Sequence, residues 1–175
     1  EPIRLALHAG IPILFIYIFE DNLMKEPIYD KRHWRFVTQS LRDLYKRIYP
    51  YKSNGLNVLK GDAKGIFSAI SEYFHIKRVY SYEEVGIDTT YKRDLQLAHF
   101  FKSKQIKWIE VPKEGIRRGS INRIGWVDNW YHYVNMPIQQ IDLKNAQIST
   151  LPETINENFS PKSLTRSFEK EPDGF

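Results

Sequence analysis

Hydrophobic positions along this chain change their period several times, and each change marks an element. Pro2 to Ala9 reads as a short helix closed by Gly10. IPILFIYIFED, residues 11–21, then runs through nine apolar or aromatic residues before it reaches Glu20-Asp21. A continuous apolar run, rather than an alternating one, predicts a strand buried on both faces, as in a parallel sheet. Over residues 31–48, Trp34, Val37, Leu41, Leu44 and Ile48 share one stripe, while Arg32, Arg35, Gln39, Arg42 and Lys46 fall on the opposite one. That pattern predicts an amphipathic helix packed on a sheet. Asp30 is its expected N-cap, and Pro50 with Ser53-Asn54-Gly55 gives the stop and the turn.

The cycle then repeats. A strand is expected at LNVLK (56–60), a turn at Gly61-Asp62, a helix over 63–74, a strand at KRVYSY (77–82), a helix over 88–103 and a strand at KWIEV (107–111). Short strands alternating with helices of about a dozen residues imply right-handed crossovers. The fold class is therefore α/β: a Rossmann-like three-layer sandwich with an open, mostly parallel sheet and helices on both faces. After Pro112 the rhythm fails. Residues 113–125 read as loop, and Gly125 gives way to a short helix carrying Trp126, Trp130 and Tyr133 that ends at Pro137. From about 138 the chain is polar and proline-punctuated, without a periodic apolar stripe, and reads as an extended linker or wrapping tail.

Composition narrows the chemistry. With 175 residues and 42% hydrophobic content, the chain has room for one core of ordinary size. There is no cysteine, which excludes disulfides, thiolate metal sites and cysteine nucleophiles, and allows a reducing compartment such as the cytoplasm. The five histidines show no pair at metal-ligand spacing. The longest apolar run, Ile11 to Phe19, is too short to cross a bilayer. A net charge of +5 leaves a polyanionic partner open without requiring one.

Ligands of open α/β sheets settle beyond the carboxyl ends of the strands, so the residues directly after strands are the candidates. These are Glu20-Asp21, Gly61-Asp62, Glu83-Glu84 and the stretch from Val111 onward. A pair of neighbouring carboxylates accepts hydrogen bonds from an amino-pyrimidine or a ribityl group, or it is simply a solvated loop. Consecutive residues point apart, so at most one of Glu83 and Glu84 faces a given pocket. Asp62 is expected to cap the next helix. No GxGxxG or GxxxxGK[ST] is present, so phosphate cradling by those loops has no support. Arg93-Asp94, inside a helix, reads as an ion pair tying helix to loop. Arg32, Arg35, Arg42, Lys46 and Arg47 form a charged helix face that is either solvated or a contact for phosphate. Trp126 and Trp130, four apart, read as anchors to the sheet or to another domain.

The order of segments resembles the N-terminal α/β domain of the DNA photolyase/cryptochrome family. PIRLALHAG and IPILFIYIFED are similar to its first helix and second strand, RHWRFVTQSLRDL to the next helix, and LNVLKGDAKGIFSAISEYFHIKRVYSY to the third strand, GD turn, helix and fourth strand. YEEVGIDTTYKRD is similar, without gaps, to the HEETGxxxxYxRD pattern of a bacterial and plant-like branch, with Tyr82 in place of the histidine. GIRRGSINRIGWVDNWYHYVNMP resembles that branch's GVxRRLxxRxxWxxxWxxxMxxP, with Arg117, Arg118, Arg123, Trp126, Trp130 and Pro137 in matching places. The likeness covers about residues 1–137, and EPDGF at the end resembles the family's linker towards its flavin domain.

The resemblance implies an antenna-chromophore domain of a light-driven repair flavoprotein, with a cryptochrome-type photoreceptor as the alternative. A universal-stress-type nucleotide-binding module is a further alternative with a similar layout. In many family members this domain holds methenyltetrahydrofolate or a deazaflavin, with Glu83, Glu84, Glu20 and Asp21 as the cofactor-binding candidates here. FAD, damaged DNA and catalysis belong to a separate helical domain, so this stretch carries no catalytic residue and Trp126 and Trp130 are not the family's electron-relay tryptophans. The expected partners are that helical domain and damaged DNA, with no membrane. Family members also begin with a strand and loop of the kind WFRRDLRxxDN in mid-sheet, upstream of where Glu1 falls. Backbone groups facing an empty central slot lose their hydrogen bonds, so some segment, from a neighbouring chain or from residues before Glu1, is expected to fill it.

Overall fold

The computed structural model describes residues 1–113, 115, 118, 119, 122–138 and 140–161. Its elements, in chain order, are α1 (Pro2–His8), β1 (Phe15–Phe19), α2 (Asp21–Met24), α3 (Lys31–Ile48), β2 (Leu56–Lys60) and α4 (Ala63–Tyr73). They continue with β3 (Arg78–Tyr82), α5 (Asp88–Ser103), β4 (Lys107–Val111), α6 (Trp126–Val134) and α7 (Glu153–Asn158). The alternation expected from the hydrophobic pattern is present, and every strand pair is parallel. No helix among the described residues is long and apolar enough to cross a membrane.

The chain divides into two compact units, one built from Glu1–Ile11 and Ile76–Asp142, the other from Pro12–His75 and the residues from Leu143 onward. In the second unit β1 pairs with β2 in register from Phe15↔Leu56 to Phe19↔Lys60. The run IPILFIYIFED is thus a strand, but only its central five residues pair with β2. Phe15 and Phe19 on one face are buried, while Ile16 and Ile18 on the other remain half-buried, less than burial on both faces would give. Fully enclosed Phe19 meets Trp34 of α3 and Tyr17 edge-on at 6.2 and 5.0 Å between ring centres. Trp34, Val37, Leu41, Leu44 and Ile48 turn inward as their spacing requires. The helix starts at Asp30, whose carboxylate accepts from the Arg32 amide while His33 Nδ1 accepts from the Asp30 amide, so a histidine takes the place of the usual Glu or Gln of a capping box. Asp62 caps α4 by accepting from the Gly65 amide at 2.7 Å.

Residues after 138 are more structured than their polarity suggests. Ile13 and Ile148 form a parallel bridge, Leu143, Ile148, Leu151 and Ile155 are buried, and α7 packs by β2. The segment therefore wraps its unit and adds a helix that no apolar period announced. Asn57 joins the pieces: buried on β2, it donates to the Phe15 carbonyl at 3.0 Å and accepts from the Leu151 amide at 3.3 Å. The EPDGF end lies outside the described residues.

In the first unit β3 pairs with β4 in register from Arg78↔Lys107 to Tyr82↔Val111. Helix α1 packs by β3, and α5 packs by β4 through buried Leu97, Phe100 and Phe101, the last edge-on to Trp108 at 5.4 Å. The ladders come as two pairs rather than one continuous sheet. Apart from the Ile13–Ile148 bridge, no further strand pairs with either ladder among the described residues, so the segment expected to fill a central slot is not a described part of this chain.

Candidate functional site at the carboxyl ends of β3 and β4

Parallel pairing brings the carboxyl ends of β3 and β4 side by side, and their charged residues gather there. Glu83 and Glu84 follow β3, and the Glu83 amide continues the ladder by donating to the Val111 carbonyl at 2.8 Å. Glu110, next to last in β4, breaks an otherwise apolar strand end. Arg118, from the loop after β4, ties these pieces together. Its Nε and Nη2 donate to the Glu84 carbonyl at 3.1 and 2.6 Å, and Nη1 donates to both Glu110 carboxylate oxygens at 3.2 and 3.3 Å. Nη2 also lies 3.6 Å from the Asp94 carboxylate of α5. Arg93 completes the cluster, 2.8 Å from Asp94 and 3.9 Å from the Glu84 carboxylate.

Four carboxylates thus meet two guanidinium groups, an excess of negative charge on a partly shielded rim. Burial is the main cause that pushes the Glu110 carboxyl above the usual carboxylate range; Asp94 and Glu83 push the same way, and Arg118 opposes them. The backbone bond from Arg118 holds the Glu84 main chain rather than its carboxylate, which stays more than a third exposed. Glu84 therefore faces Arg93, and Glu83 lies within electrostatic reach of Glu110. What the rim offers chemically is a set of oriented acceptors backed by fixed cations, suited to N–H groups of an amino-heterocycle.

The other two acidic candidates stand in the other unit, after β1. Asp21 opens α2 and pairs with Lys60, the last residue of β2, at 3.0 Å. Glu20 is the N-cap of that helix and helps burial push the Tyr17 hydroxyl up to about 12. The four predicted acids thus form two separate pairs, one per unit. Arg93-Asp94 does tie helix to loop, through Arg118. Trp126 and Trp130 are 41% and 38% exposed, so neither is part of a buried core. Arg117 lies outside the described residues. Sequence reasoning passed over Glu110, although a glutamate inside KWIEV was a signal in itself: a charge in a mostly apolar strand is either paired or functional.

This arrangement, short parallel strands crossed by helices with an acidic rim at the strand ends, is a Rossmann-like α/β fold. Among solved structures the chain is similar to an archaeal photolyase from Sulfolobus tokodaii, with a TM-score of 0.65 and 13% identity over 99% of this chain. The chain spans 39% of that protein's length. That photolyase was crystallised with two FAD molecules, which implied a novel light-harvesting cofactor in it. No family model matches the chain, and no curated protein matches it in sequence.

Proposed function

We propose that the chain is the antenna-type α/β domain of a photolyase-like flavoprotein, holding a light-harvesting chromophore rather than carrying out the repair chemistry. The likeness to the archaeal photolyase over nearly the whole chain carries this reading. In the proposal, FAD and damaged DNA are held by a separate helical domain, and the exposed aromatic residues of α6, Trp126, Trp130 and Tyr131, are available to meet it.

The residues present fit one part of an antenna. Glu84 keeps an accessible carboxylate on a main chain fixed by Arg118, and Glu83 flanks it. Methenyltetrahydrofolate would present amino-pyrimidine donors to such acceptors, and a deazaflavin would present its ribityl hydroxyls. When bound, the chromophore would absorb near-ultraviolet light and pass on the excitation; the chain would bind it and fix its orientation. Glu20 and Asp21 belong to this proposal only as a second acceptor pair, since Asp21 is already engaged by Lys60.

The test is a titration of the chain with methenyltetrahydrofolate, a deazaflavin and ATP in parallel. The reading expects a shift of near-ultraviolet absorbance with one of the first two and weaker binding in Glu84→Gln. Saturable ATP binding with neither chromophore bound would move the chain to the universal-stress class. Unchanged chromophore affinity in both Glu83→Gln and Glu84→Gln would remove this pair from the site.

A further inference from the structure

The charge of this protein is concentrated in one place. Residues 31–52, α3 and its C-terminal turn, hold Lys31, Arg32, Arg35, Arg42, Lys46, Arg47 and Lys52 against the single acid Asp43. They therefore carry +6 of a net +5, which leaves the rest of the chain at −1. The bases are also arranged. With Trp34, Val37, Leu41, Leu44 and Ile48 turned inward, the 100° step of a helix puts Arg32, Gln39 and Lys46 at the centre of the outward face. Arg35 and Arg42 run along one flank, and Phe36 and Arg47 along the other. From Arg32 to Lys46 the row extends about 21 Å.

Such a row costs the helix stability. Lys31 and Arg35, and again Arg42 and Lys46, are like-charged i,i+4 neighbours, and each such pair destabilises a helix. The first turn holds two cations and no acid, the wrong sign for the helix dipole, and Asp30 at the N-cap pairs with Arg32 at 3.1 Å. Lys46 has Asp43 at 3.3 Å, in a pair that is almost fully solvated on both sides. Aromatic rings stand among the bases with their surfaces in water: Phe36 is 69% exposed, Tyr49 53% and Tyr51 45%. A solvated face needs no exposed phenylalanine and no repelling cations. A single nucleic-acid strand uses both, the bases for its phosphates and the rings for stacking.

We propose that the outward face of α3 is a binding surface for single-stranded nucleic acid. The surface lies in the unit that does not contain the Glu83-Glu84 rim, and it stands or falls independently of the antenna reading. Charge complementarity selects the occupant: the face is positive while the rest of the chain is close to neutral. Exposed aromatic rings favour an unpaired strand, whose bases are free to stack, over a duplex.

The test is fluorescence anisotropy of a labelled 20-nucleotide oligothymidylate with the whole chain, across a salt series. Four phosphate contacts predict a slope of log K against log salt near −3, from about 0.7 per contact on a single strand. Substituting Arg35→Gln, Arg42→Gln and Lys46→Gln together is expected to flatten the slope by about 2. The charge-keeping Arg35→Lys and Arg42→Lys pair is expected to leave it intact. Phe36→Ala or Tyr49→Ala is expected to weaken binding at least about fivefold, the low end of base-stacking effects. Phe36, Arg42, Lys46 and Tyr49 are exposed and Arg35 is half-buried, so circular dichroism of each variant is expected to match the wild type and checks that the helix is kept. No binding by the wild type, or a wild-type slope in the triple variant, overturns the proposal. Equal affinity for a duplex and for heparin, with no effect of either aromatic substitution, overturns it too and leaves a general polyanion surface.

Discussion

Replacing Arg118 with methionine tests the architecture of the acidic rim. The substitution keeps most of the stem and removes the guanidinium from three partners: the Glu84 carbonyl, the Glu110 carboxylate and Asp94. The two bonds to the carbonyl contribute about 1 kcal/mol net. The ion pairs, with Arg118 40% exposed, are worth only about 0.5–1 kcal/mol once solvent screening is counted. The expected loss is thus about 1.5–2 kcal/mol at neutral pH, read by urea unfolding followed by tryptophan fluorescence. The pH dependence is the sharper readout. Glu110 already titrates above the ordinary carboxylate value, so the folded form favours its protonated state, and that penalty grows as pH rises through the ordinary carboxylate range. Without Arg118 the Glu110 pKa is expected to move further up, as followed by carbon NMR of its carboxyl. The destabilisation should shrink at acid pH, where the carboxylates no longer carry charge. An equal loss of stability at pH 7 and at pH 3.5, with Glu110 titrating as in the wild type, would falsify the account of the cluster.

Two further substitutions probe the other unit. Tyr17 titrates near 12 instead of 10 because it is buried, so the folded state holds its proton more tightly and loses stability as pH climbs from 10 to 12. At about 1.4 kcal/mol per pH unit the loss reaches about 3 kcal/mol, and Tyr17→Phe should remove it from the alkaline unfolding curve. An alkaline limb identical in the two proteins would contradict the burial argument. Asn57→Leu deletes both bonds that join β1, β2 and the segment at Leu151, and is expected to cost about 2–4 kcal/mol. Hydrogen exchange at the Leu151 amide should speed up before exchange at β2 does; protection retained there would show that Asn57 does not hold the segment.

Resemblance and periodicity reached different depths along this chain. The stripe of α3 was legible because a helix of eighteen residues repeats its apolar period several times, and Asp30 marks its start. α2 and α7, of four and six residues, are shorter than two turns, so neither repeats a period often enough to be read. The rim was legible by half. Glu83 and Glu84 stand out as neighbours after a strand, whereas Arg118 meets Glu84 across 34 positions of sequence, a separation no local pattern encodes. The division into two units was also out of reach, since one of them joins Pro12–His75 to the residues from Leu143 onward across the intervening unit.

Local spacing of apolar residues, caps and turns thus determined the order and type of the principal elements, and the basic face of α3 with them, because helix and strand periods are set by each residue's near neighbours. Tertiary structure alone decided which charges meet, through the side-by-side strand ends that let one guanidinium collect Glu84, Asp94 and Glu110. It also decided that the polar tail beyond 138 closes over β1 and β2, since burial depends on where distant segments come to rest and not on how hydrophobic each one is.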